Sequence, residues 1–174
     1  MNDNSTTPDE AAQIRARWRE DVETVRQRLV DKLIERGVDT ARLTWLSSLE
    51  SESVIQHWID LGARRYGHLA LNPPPDGNAR RGEFPDGTLP LWLSASSRDV
   101  FVQFFRPSSG RLLARCDLDF AVDNLSIFAR ADGDGFGAIA PNLEGVLLVN
   151  VEDRLGDSTL EIDAWGEFVC DPSE

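Results

Sequence analysis

The residues best suited to chemistry are two aspartates set among glycines, in Asp132-Gly-Asp-Gly-Phe-Gly137-Ala-Ile139. Calcium loops of the EF-hand kind place acids at positions 1, 3 and 5, glycine at 6, an aliphatic at 8 and glutamate at 12. A hard cation needs that shell of oxygens around a sharp turn. Counted from Asp132, positions 1, 3, 6 and 8 fit, but position 5 is Phe136, position 12 is Leu143, and Pro141 breaks the exit helix. The expectation is therefore a Gly-rich loop joining two strands, where Asp and Gly tolerate unusual backbone angles. Asp132 and Asp134 remain the candidates for a metal, and no cofactor is expected.

Two further acid pairs have strand spacing. Asp117 and Asp119 stand two apart in Arg111–Val122, where Leu112, Ala114, Cys116, Leu118, Phe120 and Val122 fill the alternate positions. Glu161 and Asp163 repeat the pattern in Thr159–Cys170, opposite in parity to Leu160, Ile162, Ala164, Phe168 and Cys170. Alternation of this kind puts one set of side chains in a core and the other in water. If the two strands are neighbours, four carboxylates crowd one face, suited to a basic partner or to a metal-dependent enzyme of clustered carboxylates. Trp165 shares the outward parity, and a tryptophan within a charged surface is a common binding hot spot. Asp117, Asp119, Glu161, Asp163 and Trp165 are accordingly the predicted partner-binding residues.

Nucleophilic catalysis finds little footing. Neither a Gly-x-Ser-x-Gly elbow nor a Ser-x-x-Lys motif occurs. A phosphate-cradling loop needs a lysine after its last glycine, and the one lysine, Lys32, lies elsewhere. Cys116 and Cys170 fall on inward parity and read as inert buried thiols. Two cysteines and two histidines, His57 and His68, are too few for a structural zinc site or a disulfide framework. Arg80-Arg81 is the one local basic spot and reads as a solvated loop.

Charge sharpens the choice among function classes. The 174 residues carry a net charge of −12, and residues 113–174 hold three arginines against fourteen acids. Residues 1–70 are nearly balanced, with ten basic and twelve acidic residues. A field of one sign repels phosphate backbones and steers oppositely charged partners. Direct nucleic-acid binding is disfavoured and a basic protein partner favoured. No apolar run approaches the roughly 20 residues of a membrane span. The polar start of the chain lacks a secretory pattern, so a reducing, cytoplasmic setting is expected.

Three stretches must position these residues. Residues 1–71 read as helical. Thr7-Pro8-Asp9-Glu10 has the form of a capping box, Gly37 supplies a stop, and Ile14, Trp18, Val22, Val25, Leu29 and Leu33 draw one apolar stripe between them. That stripe packs on a core or pairs with a second copy. Shorter helices follow, one capped by Asp39 or Thr40 and one by Ser51 or Ser53. Residues 72–90 are rich in Pro and Gly and read as a loop. Residues 91–174 read as antiparallel strands near 91–95, 100–105, 111–122, 125–131, 145–152 and 159–170, with Val100–Phe105 central because both its faces are apolar.

The expected fold is α+β, with N-terminal helices packed on an antiparallel sheet of about five or six strands in one domain. By layout alone the chain is similar to small acidic bacterial proteins that neutralise or escort another protein, such as toxin-immunity proteins and secretion chaperones. That likeness implies an immunity-like or chaperone-like binding role without catalysis. The alternatives are the carboxylate–metal enzyme and a structural component assembling through the first helix.

Overall fold

The sheet follows from the period-two segments. A computed structural model describes residues 8–66, 78–85, 87–93, 98–104, 112–131, 135–154 and 157–170, and the side chains of 8–21, 62–66, 153–154 and 157 lie outside the description. The chain runs α1 (Pro8–Glu35), β1 (Thr44–Trp45), α2 (Ser48–Tyr66), β2 (Ala79–Pro85), β3 (Asp99–Phe104), β4 (Leu113–Asp117), α3 (Leu118–Asp123), α4 (Leu125–Ala131), β5 (Gly135–Ile139), β6 (Gly145–Arg154) and β7 (Asp157–Gly166). The strands form one sheet in the order β1-β4-β3-β5-β6-β7-β2. Every pairing is antiparallel. The fold is thus α+β with an antiparallel sheet, of seven strands rather than five or six.

Both faces of the sheet carry a core. On one, Val100, Val102, Phe104, Phe136, Leu147, Val149, Leu160 and Ile162 meet α3, α4 and the C-terminal part of α1. Phe128 of α4 is the hub, with its ring 5.5 Å from Phe104, 5.9 Å from Phe120 and 5.6 Å from Phe136. Leu29 and Leu33 bury the last turns of the α1 stripe here, while the side chains of Ile14 and Trp18 lie outside the described residues. The single lysine, Lys32, donates to the Ala131 carbonyl (3.1 Å) and so caps the end of α4. On the other face, Trp58 of α2 packs with Leu113, Ile139, Leu143, Val146 and Trp165.

Several expected strands and loops fold differently. Residues 118–123 and 125–131 are helices, because Leu118, Phe120, Ala121, Val122, Leu125, Phe128, Ala129 and Ala131 are all buried, more than one strand face can hold. β2 lies inside the stretch expected as loop. Of the segment 91–95 the described residues, 91–93, contribute only the bridge between Leu93 and Val169. The helix expected after Asp39 is a single 3-10 turn, Thr40–Arg42, with the Asp39 side chain accepting from the Ala41 amide. The next helix starts earlier than expected, at a capping box of Ser47 and Glu50. The Ser47 amide donates to Glu50 (2.8 Å) and the Glu50 amide to the Ser47 hydroxyl (3.3 Å). This holds the Glu50 carboxyl below its ordinary range. Among the described residues no helix is long and apolar enough to cross a membrane.

Candidate functional site

The two acid pairs do not share a face in the way their parity suggests. Asp117 ends β4 and Asp119 lies in the first turn of α3, so the two are not on one strand. Glu161 and Asp163 lie on β7, and β3, β5 and β6 stand between β4 and β7. Four interstrand spacings separate the pairs by about 19 Å.

At the β4 edge Asp117 and its cross-strand neighbour Asp99 are balanced by arginine. Asp99 stands opposite Asp117 across β3 and β4. Arg115 donates to Asp99 and feels Asp117, which holds its guanidinium above its usual value. Arg42 lies 3.7 Å from Asp117 and rests over the Phe120 ring, 4.3 Å from its centre. Two arginines thus face two aspartates.

The β7 pair is not balanced. Register places Glu83 of β2 directly opposite Glu161, and Arg81 opposite Asp163. Asn150 of β6 faces Glu161 from the other side, with Glu152 one step along on the same face. Arg81 binds both β7 acids, through Nε to Glu161 at 3.0 Å and to Asp163 at 3.4 Å. The Glu161 bond raises the Arg81 guanidinium further. Three carboxylates, Glu161, Asp163 and Glu83, therefore act on the Arg81 guanidinium, and Glu152 lies further along the same face. Partial burial is the main force pushing the Asp163 carboxyl up; Glu161 adds to it and Arg81 opposes it. Like charges directly opposite on neighbouring strands cost stability, so Glu83 and Glu161 are held together against their repulsion. Arg81 is 66% exposed, so the patch opens to solvent.

Trp165 shares the face of Glu161 and Asp163 but retains only 3% of its surface, beneath α2 in the Trp58 cluster. Its role is packing at the border of the patch. Asp132 and Asp134 lie outside the described residues, and the residues after them, Gly135–Ile139, form a fully buried strand. Gly135 is required there: at φ +123° an added Cβ would meet the Val149 carbonyl at 2.1 Å. Among the described residues no three His, Cys, Asp or Glu side chains converge as metal ligands do. Cys116 is buried, and desolvation pushes its thiol up to about 12. Cys170 is half-buried, His57 is exposed on α2, and His68 lies outside the described residues. A groove of about 390 Å³ runs between α1 and the β1–α2 junction, lined by Val22, Leu46, Leu49 and Leu112 with the Glu23–Arg26 ion pair.

Sequence reasoning set Glu161 and Asp163 on one outward face but did not bring Glu83 beside them or Glu152 onto that face. Glu83 sits in an edge strand, and edge strands are polar on both faces. Glu152 alternates with Val149 and Val151 and was legible as outward.

The comparisons with known proteins come back empty. No family model, no curated protein and no solved structure matches the chain.

Proposed function

We propose that this chain is a protein-binding module, without catalysis of its own, that receives a basic surface of another protein. The observation that supports it is the patch on β7 and β2, where Glu83, Glu161 and Asp163 gather around Arg81, with Glu152 of β6 further along the same face. At the other edge Arg42 and Arg115 offset Asp117 and Asp99 locally, and Asp119 adds long-range field. A patch of one sign speeds encounter with the opposite sign and rejects like-charged surfaces. An immunity-like or chaperone-like role fits such a surface, the partner being bound through its own Lys and Arg.

The test is affinity capture from the native host at low and moderate salt, followed by titration of the captured partner. One stoichiometric basic protein, lost as salt rises, is expected. Combined replacement Glu83→Gln, Glu161→Gln and Asp163→Asn weakens it by about tenfold or more and flattens the salt dependence. Asp117→Asn with Asp119→Asn leaves affinity within about twofold, as rim charges do. Unchanged affinity in the triple variant refutes the assignment.

A further inference from the structure

β2 is an edge of the sheet. It pairs with β7 on one side, and among the described residues no strand pairs with its other side. Ala79, Arg80, Arg81, Glu83 and Pro85 are exposed. The Gly166 amide donates to the Asn78 carbonyl at 3.0 Å, and register sets Ala79 opposite Trp165. Asn78 and Gly166 are therefore a hydrogen-bonded pair, and the alternation of an antiparallel ladder fixes the rest. Arg80, Gly82 and Phe84 bond to β7, while the backbone groups of Ala79, Arg81, Glu83 and Pro85 point outward. Pro85, which has no N–H, stands at an outward position and costs the inner ladder nothing.

We propose that this edge pairs with the same edge of a second copy, antiparallel, about a two-fold axis through Gly82. That register sets Arg81 of each copy opposite Glu83 of the other. These two residues point their backbone groups outward, so each pair also exchanges both main-chain hydrogen bonds. Gly82 meets its own counterpart at the non-bonded centre, where Cα atoms approach to about 4.5 Å. On the opposite face Arg80 stands over against Phe84, a pairing of cation with ring. Moving the axis to Arg81 or to Glu83 brings like charges face to face, so the charge pattern selects one register. The interface is self-complementary, as closed two-fold symmetry requires. It continues the sheet across both copies and sets two acidic patches side by side on one face, which makes the surface bivalent. The pairing stands whether or not a basic partner exists, and its test reads self-association alone.

Sedimentation of the purified full chain should show a concentration-dependent rise from 19.4 kDa to twice that mass. Glu83→Pro removes an outward N–H and a carboxylate but none of the ladder bonds to β7, so it should abolish the rise while the chain stays folded by circular dichroism. Glu83→Arg and Arg81→Glu should each weaken self-association by about tenfold or more, and mixing the two should restore a one-to-one dimer through opposite charges. A monomer at every concentration overturns the proposal. So does a dimer indifferent to Glu83→Pro and Glu83→Arg, which would place the contact on another surface such as α1.

Discussion

Trp58 decides whether α2 is clamped to the sheet or merely lies near it. Its side chain is 6% exposed and meets Phe101 edge-on at 5.7 Å, within the cluster of Leu113, Ile139, Val146 and Trp165. Its indole N–H is buried and has no hydrogen-bond partner among the described residues. Two substitutions separate the terms. Trp58→Ala removes the whole ring and should cost about 3–5 kcal/mol, as large aromatic truncations in cores do. At about 2–4 °C per kcal/mol for a domain of this size, the midpoint falls by about 10 °C or somewhat more. Trp58→Phe keeps a ring and deletes the stranded donor. It gives up about 40 Å² of apolar contact, about 1 kcal/mol at 25 cal/mol/Å². It recovers about 1–3 kcal/mol of desolvation that the unpaired N–H imposes. The sum lies between neutral and about 2 kcal/mol stabilising. Urea unfolding followed by circular dichroism measures both. A cost below about 1 kcal/mol for Trp58→Ala would refute the clamp. A cost for Trp58→Phe equal to that for Trp58→Ala would refute the reasoning about the donor.

Two further perturbations follow from the core and the turns. The Cys116 thiol, pushed up to about 12 from 9.0, favours the folded state fully below pH 9, and that contribution is lost as pH rises from 9 towards 12. Urea stability should therefore fall more steeply above pH 9 in the native chain than in Cys116→Val, by up to about 1.4 kcal/mol per pH unit. Parallel slopes would count against it. Gly166 ends β7 at φ +69°, where an added Cβ would lie 1.9 Å from the Glu144 carbonyl. Gly166→Ala should cost several kcal/mol, about 3 or more, through backbone displacement, and a melt within a degree or two of the parent would contradict that packing.

What the sequence made legible depends on how long each pattern runs. β7 lies in the alternation of Leu160, Ile162 and Ala164 with Glu161 and Asp163, and β6 shows as four consecutive apolar residues, Val146–Val149, of a strand covered on both faces. The centrality of β3 was legible because Phe101 is apolar where a half-exposed strand would be polar. It lies third of seven, with Trp58 against Phe101. The segment after β4 misled because Leu118, Phe120 and Val122 continue the alternation of Leu112, Ala114 and Cys116, which carries a strand reading past its end at Asp117. Over the wider window Leu118, Ala121, Val122, Leu125, Phe128 and Ala129 recur at three and four, the stripe of a helix pair hinged at Asn124. Likewise Ser47-Ser-Leu-Glu50 had the form of a capping box that fixes the start of α2. β2 left no such mark, because an edge strand is stabilised by its neighbour's ladder more than by its own apolar residues.

That error over α3 changes the functional argument. Had 118–123 continued as strand, Asp117 and Asp119 would project together from one face. Turning the chain into a helix at Asp117 swings Asp119 into the first turn of α3, where a helix N-terminus favours negative charge. The local structure thus accounts for Asp119 without a partner, and Arg42 and Arg115 account for Asp117 and Asp99. Glu83 and Glu161 are opposed across a strand pair with one shared guanidinium between them and Asp163. Neutral residues at those positions would pair more favourably, so their charge is retained against stability. On the proposed function, that retained charge is what the basic partner meets.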